Sequence, residues 1–174
     1  MRICNRLIIF ILLGLLCNVT LAQPSASLFR MINKEAREAK EECRYAEAEN
    51  IYINGIKNQR ISNVNRATLV LNYIDLCFIR GDYRTAENLL EIYTPQNEEQ
   101  KQRWTVRKAT VNFFLGYFDL AEKLYTEASE NSSLDKASKY ELLAFQGAMY
   151  MDQNQYDKAL LYLNQALALS SDEQ

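Results

Sequence analysis

The sequence predicts an all-α fold of about four antiparallel helix hairpins, and three observations predict it. Glycine and proline are scarce, with 5 and 2 among 174 residues, which argues against long loops and frequent tight turns. Apolar residues recur at helical spacing. Leu143, Gly147 and Tyr150 share one helical face, and after a short turn at Asn154, Tyr156, Ala159, Leu163 and Ala166 share a second. An aromatic residue keeps the register along the chain, at Tyr45, Tyr83, Phe118 and Tyr156, with spacings of 38, 35 and 38 residues. Apolar residues at 48% suffice for a core, and charged residues at 24% are ordinary for a globular chain.

Residues 1–22 read as a secretory signal peptide. Arg2 and Arg6 supply a basic start, Leu7 to Cys17 is an apolar run of 11 residues, and Ala22 is a small residue suited to cleavage. Such a run is short for a membrane-spanning helix, which needs about 20 residues; an uncleaved anchor is the alternative. The expected location is therefore periplasmic or envelope-associated. Cleavage would leave 18 basic against 22 acidic residues. That balance offers no electrostatic footprint for nucleic acid and no polybasic patch for an anionic membrane.

Residues 23–27 form a polar, flexible lead-in, with Ser27 as cap of the first helix. The first repeat, about residues 28–62, carries Ile32, Ala36 and Ala39, then Tyr45, Ala48, Tyr52 and Gly55. Between these sets lie mixed charges, with Arg37 four residues before Glu41, as on a solvated face. The second repeat, about 63–94, starts from Ser62 or Asn63 as cap, and Leu69 to Ile79 is apolar nearly all round, a helix buried on most sides. Gly81-Asp82-Tyr83 then turns the chain, with Asp82 capping a helix that bears Tyr83, Ala86 and Leu90. The third repeat, about 95–131, opens at Thr94-Pro95 and carries Ala109, Gly116, Phe118, Ala121, Tyr125 and Ala128. Lys108 and Asn112 interrupt its apolar pattern, which predicts a rotated or partly exposed helix. The fourth repeat, about 132–171, has Ser132 as cap and Asp135 in the first turn; residues 172–174 are a polar tail.

These strings, above all Gly81-Asp82-Tyr83 with Ala86-Glu87 and the set Gly147, Tyr150, Tyr156 and Ala159, resemble the tetratricopeptide repeat, whose period is about 34 residues. The resemblance, to an exported bacterial member, implies a right-handed superhelix whose first helices line a concave groove that binds a peptide or helix of a protein partner. Transferred by register, the groove positions are Arg30, Asn33, Arg37 and Lys40 in the first repeat, with Leu71 and Asp75 in the second. The third contributes Val106, Thr110, Phe113 and Phe114, and the fourth Met151. Leu71 and Val106 stand where a carboxylate clamp needs polar groups. The expected ligand is an apolar or amphipathic segment with an acidic flank toward Arg30, Arg37 and Lys40. Phe78 and Ile79 also fall at register positions of the second repeat but are expected in the core.

No catalytic constellation is expected. The chain contains no histidine, and its five glycines are scattered rather than grouped in a phosphate-binding loop. Cys43 and Cys77 are too few to close a tetrahedral zinc site, and both are expected on first helices, with their pairing left open. The expected function is that of an envelope interaction scaffold without cofactor or metal; a sensory segment of an envelope regulator is a narrower form of it. A small-molecule-binding helical domain is the rival, and it would require a pocket with converging polar groups. The last hairpin ends without a solvating helix, so Leu160, Leu167 and Leu169 are candidates for self-association as a homodimer.

Overall fold

The computed structural model describes residues 25–130 and 134–171; the expected signal segment, the start of the lead-in, Ser132 and the tail at 172–174 lie outside the described residues. Among the described residues there are eight helices and no strand, so the fold is all-α. They are α1 (25–41), α2 (Tyr45–Lys57), α3 (Asn63–Arg80), α4 (Tyr83–Ile92), α5 (Glu98–Phe114), α6 (Phe118–Ser129), α7 (Lys136–Asp152) and α8 (Tyr156–Ser171).

One backbone device ends every odd-numbered helix. Cys43, Gly81, Gly116 and Asn154 have φ of 59°, 70°, 83° and 59°, the left-handed region that stops a helix. The next residue in each turn, Arg44, Asp82, Tyr117 or Gln155, donates its N–H back to the carbonyl of Ala39, Cys77, Asn112 or Tyr150 at 2.8–2.9 Å. This bond satisfies a carbonyl orphaned at the helix end. Its own carbonyl then accepts the first bond of the next helix, from Ala48, Ala86, Ala121 and Ala159 respectively. All four alanines are buried. Four turns of this kind at the spacing read from the aromatic register make the internal repetition a property of the backbone.

Side-chain capping differs from the sequence reading at three starts. Residues 25–27 are already helical, so Ser27 lies inside α1 and does not cap it. Helix α5 begins after Asn97, whose side chain accepts the Gln100 N–H at 2.9 Å, three residues beyond the expected Thr94-Pro95 start. An Asn side chain that reaches the third free N–H outcompetes the proline signal. Asp135 is the cap of α7 itself: it accepts from the Ser138 N–H at 2.9 Å and from the Ser138 hydroxyl at 2.7 Å. These bonds, the hydroxyl's first, hold the Asp135 carboxyl below its ordinary pKa. At α3 and α4 the expected caps are found, with Ser62 accepting from Asn65 and Asp82 from Thr85.

The chain divides into two compact units, residues 1–69 and 70–174, with the boundary inside α3. The first unit buries Ala36 and Ala39 of α1, Tyr52 and Ile56 of α2, and Ala67 and Leu69 of α3. Arg66 staples its α2–α3 connector: Nε donates to the Ile56 carbonyl at 2.9 Å, and Nη2 to those of Asn58 and Ile61 at 3.3 and 3.1 Å. A single guanidinium thus serves a last-turn carbonyl of α2 and two carbonyls of the connector.

In the second unit α5 packs on α4, α6 and α7, and α7 packs on α6 and α8. The core contains Val106, Tyr125, Leu142, Met149 and Tyr150, all buried. Helices α7 and α8 approach closely at Gly147, where a Cβ would stand 2.6 Å from Leu163 Cγ. Any side chain there would force the helices apart. Helix α5 is partly exposed, at Lys108 as expected and at Lys101 and Phe114, but Asn112 is buried. It buries even Gln100, Gln102, Arg107 and Asn112, because these polar groups find partners. Asn112 Nδ2 donates to the Lys108 carbonyl at 2.7 Å, and Gln100 Oε1 accepts the Gln96 N–H at 2.9 Å. Cys43 is likewise not on a first helix but exposed in a turn, while Cys77 is buried in α3; both are thiols.

The four turns predict opposite effects of two small substitutions. Cys43→Gly should stabilise the chain by about 1 kcal/mol, raising Tm by about 2–4 °C, since a β-carbon costs about that much in the left-handed region. Gly81→Ala should lower Tm by a similar amount although a Cβ at Gly81 meets nothing within 4 Å. Thermal melts followed by circular dichroism would check both.

Candidate functional site

A charge network ties the first helices of the second unit together. Arg107 of α5 is buried, with 7% of its side chain exposed, and its Nε donates to Asp75 Oδ1 of α3 at 2.6 Å. On the other side Nη1 pairs with Glu141 of α7 and Nη2 donates to Glu141 Oε1 at 3.3 Å. Arg103, one turn earlier, stands 4.0 Å from the second Asp75 oxygen. Desolvation works to lower the Arg107 pKa, but Asp75 and Glu141 outweigh it and hold the guanidinium above its ordinary value. Beneath this network Tyr125 donates to Thr110 Oγ1 at 3.2 Å, and Thr110 donates to the Val106 carbonyl at 2.9 Å. Burial pushes the Tyr125 phenol well above its ordinary pKa, so it acts as a neutral donor.

An aromatic cluster continues from the network toward the C-terminal ends of the same helices. Phe78 follows Asp75 by three residues, Phe145 follows Glu141 by four and Phe114 follows Arg107 by seven, so each aromatic lies on the face of its charged neighbour. Phe114 is at the centre. Its ring stacks on Tyr83 at 4.3 Å with planes 5° apart, meets Phe145 edge-on at 6.0 Å, and lies 6.4 Å from Phe78. Phe113 adjoins it at 5.0 Å. These are the offset and edge-to-face separations at which aromatic pairs attract. Phe114 nevertheless remains 40% exposed, with Ile79 and Met151, at the ends of α3 and α7, also open to solvent.

The structure separates the residues that the register placed together. Leu71, Val106 and Thr110 are fully buried and Phe113 nearly so. They belong to the core rather than to a groove surface, because α3 and α5 are enclosed on most sides. Asp75 is half-buried and committed to Arg107, while Phe114 and Met151 are the apolar candidates that stay accessible. Ile79 reverses the expectation in the other direction, being exposed where Phe78 is half-buried. Arg30, Asn33, Arg37 and Lys40 belong to the first unit. There Arg30 and Arg37 are exposed, with Arg37 Nε 3.5 Å from Glu41, and Asn33 and Lys40 are half-buried. Arg107 is absent from the register positions although it organises the site. Its signal in the sequence is an arginine set between Val106 and Ala109 on a mostly enclosed helix, which calls for carboxylates on the helices either side.

At the last hairpin Leu160 and Leu167 are 61% and 64% exposed. Leu169 differs: it is half-buried and packs against the core of the second unit, so it has the intramolecular neighbours that the sequence did not provide. Among the described residues no group of three or more His, Cys, Asp or Glu is placed to hold a metal ion, and no helix is long and apolar enough to cross a membrane. No protein-family model matches the sequence, and neither a curated protein nor a solved structure is significantly similar to it.

The network predicts an asymmetry between its partners. Asp75→Asn with Glu141→Gln strips the buried guanidinium of its counter-charges and should cost about 3–5 kcal/mol. Arg107→Met removes the buried charge and leaves two carboxylates that reach water, so its cost should be near 1 kcal/mol. Urea unfolding of both variants measures the difference, which should change little between low and high salt because Arg107 is shielded from solvent.

Proposed function

We propose that the chain is an exported, tetratricopeptide-like scaffold, a right-handed superhelix of four hairpins that binds an apolar or amphipathic segment of a protein partner. The left-handed turn at four registers, the buried alanine four residues into each following helix, and the packing of α5 against both α4 and α7 support this reading of the fold. The basic, apolar and small-residue sequence of residues 1–22 supports export. The observation that carries the function is the half-exposed Phe114, stacked on Tyr83 and in ring contact with Phe113 and Phe145. An immobilised aromatic with apolar neighbours loses little conformational entropy on binding, which is what an interface anchor requires.

The test is selection of peptides on the purified chain, followed by affinity measurement. Selected peptides should present apolar anchors at i, i+3 or i+4 spacing. Phe114→Ser should weaken them at least tenfold, on the order of 1.4 kcal/mol or more, whereas Ile92→Ser, at the exposed end of α4, should leave affinity unchanged. Equal binding by the Phe114 variant would refute the reading.

Self-association through α8 is a second reading, favoured by a different observation. Tyr156, Leu160 and Leu167 recur at i, i+4 and i+11, with Leu161 beside them, all exposed. Asp157 and Lys158 are the only charges in α8, so two copies of this face can meet without like-charge repulsion. Sedimentation at micromolar concentration should give a dimer that Leu160→Glu dissociates; a monomer in both cases would end this reading.

A further inference from the structure

We infer that the notch between the start of α7 and the end of α8 is filled by Tyr156 of a second copy of the chain, so that two copies pair through antiparallel α8 helices. The inference rests on the self-association reading and adds its geometry. Tyr156, Leu160, Leu163, Leu167 and Ser170 are spaced by four, three, four and three residues along α8. That is the 3.5-residue period of a seam between paired helices. Tyr156, Leu160 and Leu167 are 61–64% exposed on this seam, and Leu163 is half-buried.

The two ends of the seam differ in shape. At its start stands an exposed ring, Tyr156. At its end Ser170 lines a notch of about 590 Å³, together with Leu169 and, from α7, Tyr140 and Glu141. Fourteen residues of helix separate the ring from the notch, about 21 Å, so Tyr156 cannot fill the notch of its own chain. In a two-fold pair every contact is made twice. An antiparallel pair centred on Leu163, seven residues from either end, sets Tyr156 of each copy against Ser170 of the other and fills both notches. A parallel pair sets each Tyr156 beside its counterpart and leaves both notches open. The lining suits a phenol, since Leu169 and Tyr140 offer apolar surface for the ring while Glu141 and Asp135 offer acceptors for its hydroxyl. That hydroxyl donates to Asn154 Oδ1 at 2.8 Å, an exposed bond to a near neighbour that docking can exchange. Charge agrees as well: Asp157 and Lys158 follow Tyr156, and Asp135 and Lys136 line the notch, so each charge arrives near one of opposite sign.

The pairing is read by thiol cross-linking of the full chain carrying Cys4→Ser, Cys17→Ser and Cys43→Ser. Gln155→Cys with Ser171→Cys keeps Tyr156 and places thiols about 24 Å apart within one chain, too far for a short bismaleimide. At micromolar concentration this double variant should give a covalent dimer on a denaturing gel, whereas Gln155→Cys alone should not. By sedimentation, Tyr156→Ala should raise the dimer dissociation constant at least tenfold. Leu161→Ser, exposed on α8 but off the seam, should change it less than twofold. A dimer that cross-links through Gln155→Cys alone, that fails to cross-link in the double variant, or that keeps its affinity in Tyr156→Ala would overturn the antiparallel pairing while leaving self-association intact. A chain that is monomeric at micromolar concentration would overturn both.

Discussion

A helix that must reverse direction needs one residue in the left-handed region, and this chain meets that constraint four times. The residue stops the helix, and the N–H after it returns to the carbonyl of the last turn. The next carbonyl then starts the following helix on a buried alanine. A β-carbon at that alanine fits, but anything larger would push the second helix away from the first. The remaining contacts of each hairpin depend on that approach, including the meeting of Gly147 with Leu163. Glycine meets the constraint at two turns, asparagine at one and cysteine at one. The geometry therefore outlasts the residue type that best supports it, because the surrounding packing determines it as firmly as local preference does.

A reversal fixes neighbours within a hairpin but leaves open how successive hairpins are aligned along their axes. In the second unit Arg107 supplies that alignment. A planar guanidinium with five donors reaches a carboxylate on the helix before and another on the helix after, and it cannot discharge itself by losing a proton. Sliding any one of the three helices by a turn would bury an unpaired charge. The aromatics three to seven residues further along inherit that register, which is how Phe78, Phe114 and Phe145, from three different helices, come within ring contact. The charge network and the apolar face are two ends of one alignment.

The fold was largely legible in the sequence and the site only in part, for different physical reasons. Helical periodicity and the Tyr45, Tyr83, Phe118, Tyr156 register are local properties, and they located the hairpins. The Asp82 cap was equally local and was found where expected. Starts at which two local signals competed, Thr94-Pro95 against Asn97, went to the residue whose side chain reached a free N–H. Register alone could not assign exposure on an almost enclosed helix. Successive residues point about 100° apart, so Phe113 turns into the core while Phe114 turns out, and Ile79 lies open beside a half-buried Phe78.

By itself the sequence determined that the chain is helical, how its helices pair along the chain, and that it contains no histidine. These follow from spacing and content, which need no knowledge of what lies across the gap between helices. Only the tertiary structure decided that Leu71, Val106 and Thr110 are core, that Asp75 and Glu141 are occupied by Arg107, and that Leu169 is covered while Leu160 and Leu167 are not. It also left Gln146 with an acceptor that nothing in the described chain reaches. Burial and pairing are relations between residues 30 or more positions apart, here Arg107 with Asp75 and Glu141, and no single-helix pattern encodes them.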